Sequence, residues 1–140
     1  MTKENVYYTP EIDEFFVGFE YERRHELINY SKEWFSGEQI HIKSNLSYIE
    51  SEITNNRIRV KHLSKECIEE LGFTEYNGVY KKGNYCLDVL QKYNCIQYEG
   101  PEYPVMIFSY KIALDYNCIF QGTIKNKSEL KKLLKQLNIN

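Results

Sequence analysis

The stretch Asn126-Lys127-Ser128-Glu129-Leu130-Lys131-Lys132-Leu133-Leu134-Lys135-Gln136-Leu137 decides the fold. Leu130, Leu133, Leu134 and Leu137 recur at i, i+3, i+4 and i+7, which places them on one stripe of an α-helix spanning about Lys127 to Leu137. Asn126 is a suitable N-cap, and Glu129 stands three residues later as in a capping box. Lys127, Lys131, Lys132 and Lys135 cover the remaining surface. An isolated helix this short is marginal in water, so the leucine stripe must be buried against something else.

The preceding residues supply the partner. From Phe73 to Lys125 the chain reads as an antiparallel meander. Asn77-Gly78 is a type I′ hairpin signal, because both central residues need positive φ. Gly83-Asn84 is a second turn, between Val79–Lys82 and Tyr85–Leu90. Asn94, Gly100-Pro101 and Asp115-Tyr116-Asn117 punctuate further strands at about Cys95–Tyr98, Val105–Ile112 and Cys118–Ile124. Val105-Met106-Ile107-Phe108 is apolar on both faces, as a central covered strand requires. A two-turn helix precedes the meander: Ser64 as N-cap, Glu66 in the first turn, Gly72 at C′, and Leu63 placed to pack on Ile68.

The first half is less explicit. Phe15, Val17, Phe19 and Tyr21 alternate with Phe16, Gly18, Glu20 and Glu22, the period of a strand. Short strands are expected near Glu33–Phe35 and Gln39–Lys43, with Ser36-Gly37 as the turn between them. Asn45 can cap a helix in which Leu46, Ile49 and Ile53 share a face and which Asn55-Asn56 stops. Arg57-Ile58-Arg59-Val60-Lys61 alternates cleanly, with Ile58 and Val60 inward and three cations outward. The expected fold is therefore α+β: one domain over residues 1–140, with 1–10 as a loose lead-in. It contains a single antiparallel sheet of five to seven strands, a β-meander in the second half, packed by a short middle helix and a C-terminal helix.

Composition narrows the function classes. The chain has 140 residues and a formal charge of -2, with 42% hydrophobic and 27% charged residues, as in globular proteins generally. A slightly acidic balance argues against a general electrostatic grip on DNA or anionic lipid. No apolar run approaches the length of a membrane span, and Met1-Thr2-Lys3-Glu4-Asn5 lacks a signal peptide's order. The implied location is cytosolic, and no membrane partner is expected. Lys, Ile, Tyr and Asn are abundant and Ala occurs once, a bias that an A/T-rich genome accounts for. Tyr also supplies rigid contact area and stacking platforms. Cys67, Cys86, Cys95 and Cys118 show no zinc spacing, and they read as buried, reduced thiols.

Three segments taken in order carry a resemblance. They are Phe15-Phe16-Val17-Gly18-Phe19-Glu20-Tyr21-Glu22, then Ile58-Arg59-Val60-Lys61 running into Leu63–Phe73, and the closing Lys127–Leu134. Their succession resembles an uncharacterised small-protein family of gut Bacteroidetes and their crAss-like tailed phages. His62 and Cys67 depart from that pattern, standing where an aromatic and an acidic residue are expected. The resemblance implies a phage-type origin and a small cytoplasmic α+β domain, and it supplies no activity or catalytic residues.

The residues themselves offer little chemistry. His25, His41 and His62 show neither metal-ligand nor triad spacing, and no phosphate-cradling glycine loop is present. No catalytic residue, metal ligand or cofactor is assigned. Glu20 and Glu22 share a strand face, a spacing some metal-dependent hydrolases use and any solvated strand also shows. Arg57, Arg59 and Lys61 form the candidate binding stripe, since the guanidinium fork suits phosphate or carboxylate. The expected function is a non-enzymatic protein-interaction module binding a host or phage protein, with enzymatic activity left undecided. The alternative is a small binder of nucleotide or single-stranded nucleic acid through this basic, Tyr-flanked face.

Overall fold

The computed structural model describes residues 6–24, 34–38, 46–89, 104–110 and 116–140. The strands expected at Gln39–Lys43 and Cys95–Tyr98 lie outside the described residues, as do Asn45, Cys95, His25 and His41. The chain divides into two compact units, Met1–His62 and Leu63–Asn140. Each contains an antiparallel sheet, so the single sheet expected from the sequence is corrected to two, of four and five strands. The physical reason is that β-strand alternation marks a buried face but carries no information about which strands pair.

In the second unit, strands β5 (Thr74–Tyr76), β6 (Val79–Lys82), β7 (Tyr85–Val89), β8 (Pro104–Tyr110) and β9 (Tyr116–Thr123) follow one another in space as in sequence. This is the expected meander. Asn77 and Gly78 have φ of 49° and 83°, as a type I′ turn demands. Between Ile107↔Phe120 and Phe108↔Cys118 the register shifts by one residue, leaving Ile119 as the extra residue of a bulge. Cys118 is exposed, so the expectation of four buried thiols fails there, whereas Cys67 and Cys86 are buried. The bulge at Ile119 puts Cys118, paired with Phe108, on the face opposite the core-facing Phe120, paired with Ile107, and its thiol donates to the Phe120 carbonyl at 3.4 Å.

Two helices complete this unit. Helix α2 (Lys65–Glu70) is capped by Ser64, whose Oγ accepts from the Cys67 amide. It ends at Gly72 with φ of 95°, where Lys82 Nζ donates to the Leu71 carbonyl at 2.8 Å. Helix α3 (Lys127–Gln136) is capped by Asn126, whose Oδ1 accepts from the Glu129 amide at 2.8 Å. Glu129 in turn accepts from the Lys125 amide at 2.6 Å, one residue earlier than a standard capping box. At its other end Asn138 turns left-handed with φ of 58°. The Ile139 amide bonds Leu134 and the Asn138 amide bonds Lys135, the double closure of a Schellman motif.

The leucine stripe is buried as its periodicity requires. Leu130 and Leu134 are 0% and 4% exposed and join Ile68, Phe73, Tyr80, Leu87, Val105, Ile107, Ile124 and Ile139 in one core. Leu133 and Leu137 pack at its margin. Leu130 has no solvent-exposed surface to lose, so its truncation leaves a cavity. Leu130→Ala is expected to lower unfolding free energy by about 3 kcal/mol. Lys131→Ala, on the wet side, should change it by less than about 0.5 kcal/mol. Urea unfolding followed by circular dichroism measures both.

The first unit pairs strands out of sequence order. β1 (Tyr7–Tyr8), β4 (Ile58–Lys61), β2 (Glu20–Arg24) and β3 (Trp34–Glu38) lie side by side in that order. Helix α1 (Leu46–Thr54) leads into β4 through Asn56, left-handed with φ of 55°. The segment read as a lead-in contributes β1, and Pro10 beyond it is buried. The strand expected from Phe15 begins only at Glu20, because Gly18 at φ 93° turns the chain and the Phe19 amide bonds Phe16. The Phe15 and Phe19 rings lie 4.7 Å apart at a tilt of 52°, packed across this turn. Ser36-Gly37 is not a turn but lies within β3. Gly37 is needed there because a Cβ would stand 3.0 Å from the Tyr21 ring of β2.

Candidate functional site

The four-stranded sheet has one face bearing Ile58 and Val60, which are 2% and 3% exposed. Alternation then sends Arg59 and Lys61 to the opposite face. The pairings Tyr7↔Lys61, Glu22↔Arg59, Glu22↔Ser36 and Arg24↔Trp34 place Tyr7, Glu22, Arg24, Trp34 and Ser36 there as well. Glu20 shares the parity of Glu22 and is exposed. A mixed aromatic and charged surface results, built from all four strands.

Arg59 is its centre. Its Nε donates to Glu22 Oε2 at 2.6 Å, a charge-assisted hydrogen bond joining β4 to β2. The guanidinium carbon lies 3.7 Å from the centroid of the Tyr7 ring and 4.2 Å from that of Trp34. The two rings reach it from opposite sides of β4, since β1 flanks β4 on one side and β2 and β3 on the other. Arg24 lies 5.3 Å from the same Trp34 ring, and its Nη2 donates to the Asn56 carbonyl at 3.3 Å. The side chains of Arg59 and Glu22 keep 28% and 32% of their surface in water. This is a partly wet clamp, in which each cation–π contact contributes about 0.5–1 kcal/mol and the ion pair a similar amount.

The three cations expected as one stripe take three different situations. Arg57 turns to helix α1, where its Nη1 meets Glu52 Oε1 at 3.2 Å and Glu52 is only 7% exposed. Arg59 is clamped as described. Lys61 is exposed beside them. Tyr7 and Trp34, which complete the arrangement, carry no sequence signal of this role. Trp34 is the chain's one Trp, but its position against Arg59 depends on a pairing across two strands.

Other candidate chemistry is placed as follows. Glu22, one of the two carboxylates considered for metal work, is held by Arg59. Among the described residues no group of three or more His, Cys, Asp or Glu is arranged to hold a metal ion. His62 stacks on Tyr8 at 4.6 Å. On the other face of this sheet, burial raises the Tyr21 phenol above its ordinary value, against the lowering effect of Arg23. No disulfide joins the described residues, and no helix among them is long and apolar enough to cross a membrane.

Trp34 reports on the clamp directly. Arg59→Ala removes the cation covering the indole, so the emission maximum should move to the red as water takes its place. Lys61→Ala should leave it unchanged. Steady-state fluorescence of the folded variants reads both. Comparison of the chain with protein-family models, curated proteins and solved structures finds no match.

Proposed function

We propose that this chain is a phage-type accessory protein acting as a non-enzymatic interaction module, and that the Arg59-centred sheet face is the surface it presents to a host or phage protein. The observation that carries the reading is the clamp itself. Trp, Tyr and Arg are the residues that dominate the energetics of protein interfaces. Here one of each is already ordered against the others, so less side-chain freedom is left to lose on binding. The charges on the face also suit a protein better than a polyanion. Arg24, Arg59 and Lys61 are interleaved with Glu20 and Glu22, whereas a nucleic-acid groove needs a continuous positive track. The phage-type origin rests on the three-segment resemblance, and a cytoplasmic location in the bacterial host goes with it.

A second reading keeps one specific support. Aromatic rings flanking an Arg on a strand face are also how single-stranded bases and nucleotides are held. The two readings separate in one set of measurements. The immobilised chain should enrich one protein from host or infected-cell extract, and Arg59→Glu and Lys61→Glu should each reduce the enrichment at least several-fold. Enrichment indifferent to both variants overturns the interaction reading. Thermal stabilisation by a nucleotide or oligonucleotide, lost in Arg59→Ala and weakened by salt, replaces it with the second.

A further inference from the structure

We propose that the terminal amino groups of Arg59 form a receptor for a single carboxylate, an Asp or Glu side chain of the partner protein. The inference rests on the interaction reading above and names what the face takes hold of. Glu22 engages Nε of the guanidinium, and Tyr7 and Trp34 cover it at 3.7 Å and 4.2 Å. Among the described residues no acceptor is bonded to Nη1 or Nη2. The side chain keeps 28% of its surface accessible and its Nε is already engaged, so a ligand would meet it at the Nη edge. Two parallel N–H groups on that edge match the two oxygens of a carboxylate end-on.

Three features make this more than a hydrated arginine. The side chain is held at Nε and by two rings, so the fork is oriented before a ligand arrives. The rings displace water from beside the hydrogen bonds, where a lower local dielectric strengthens them. Arg24 by the same indole and Lys61 on the same face offset the carboxylates of Glu20 and Glu22, which leaves the charge of Arg59 itself for a ligand to meet. Glu22 also sets the ligand's charge. With one carboxylate 2.6 Å from the guanidinium, a second monoanion is tolerated better than a phosphate dianion. Ring walls flanking the fork suit the methylene stem of an acidic side chain.

The test uses the ¹⁵N-labelled full chain, with the Trp34 indole N–H resonance as readout and acetyl-Glu-amide as probe at constant ionic strength. Saturable shifts are expected with acetyl-Glu-amide and not with acetyl-Gln-amide. Arg59→Lys, which keeps the charge and loses the fork, should weaken binding about tenfold, the cost of one charge-assisted hydrogen bond. Glu22→Gln removes the competing carboxylate and should tighten it, which keeps the proposal testable if Arg59→Lys fails to fold. Equal shifts with both amides, no saturation, or tighter binding of inorganic phosphate overturn the receptor. If the partner enriched from extract binds Arg59→Lys at full strength but is lost in Arg59→Glu, the receptor fails while the interaction reading stands. If enrichment ignores every variant of the face, the interaction reading itself falls.

Discussion

Strand β4 obeys a period of two, and the burial of Ile58 and Val60 on one side leaves Arg59 no choice of face. Each buried aliphatic side chain contributes about 1.5–3 kcal/mol, well above any single contact on the opposite surface. The hydrophobic pair therefore sets the register, and the guanidinium follows. Once there, it is touched by a side chain from each of the other strands: Tyr7 of β1, Glu22 of β2 and Trp34 of β3. The order of causes matters for function. Each contact of the clamp adds less to the sheet than either buried side chain, and together they hold a cation and two rings in one arrangement at the surface.

The second unit shows the same division between what stabilises and what presents. Its core is continuous from α3 through the central strands, and Leu130, Leu87 and Ile107 are fully buried. Helix ends there are closed by side chains and by left-handed residues at Gly72 and Asn138, so few backbone groups at those ends lack a partner. The groups proposed above to meet a partner lie instead on the first unit. A shared surface of aromatic and alternating charged residues needs several strands, and no helix among the described residues carries one.

How much was legible in the sequence follows from the range of each signal. The leucine stripe, the Ser64 and Asn126 caps and the Asn77-Gly78 turn are local, each decided within about ten residues, and all stand as read. Ser36-Gly37 misled because a glycine beside a small polar residue signals a turn locally. The real demand at Gly37 comes from Tyr21, sixteen positions earlier in the chain and brought alongside only by strand pairing. Gly18 misled in the opposite direction, since alternation on either side hid a left-handed turn. The candidate stripe was half legible. Alternation placed Arg59 and Lys61 together, but Tyr7 and Trp34 join them through the order β1-β4-β2-β3, which no periodicity encodes. Arg57, at the strand's threshold, is drawn to Glu52 of α1 instead.

The account stands on Arg59 being coupled to the rings around it rather than lying near them by chance. A double-mutant cycle with Tyr7→Ala and Arg59→Ala, scored by urea unfolding through the Trp34 signal, measures that coupling directly. The expected interaction energy is about 0.5–1 kcal/mol, the size of one partly exposed cation–π contact. Strict additivity of the two substitutions would contradict the clamp and, with it, the surface on which the function is built.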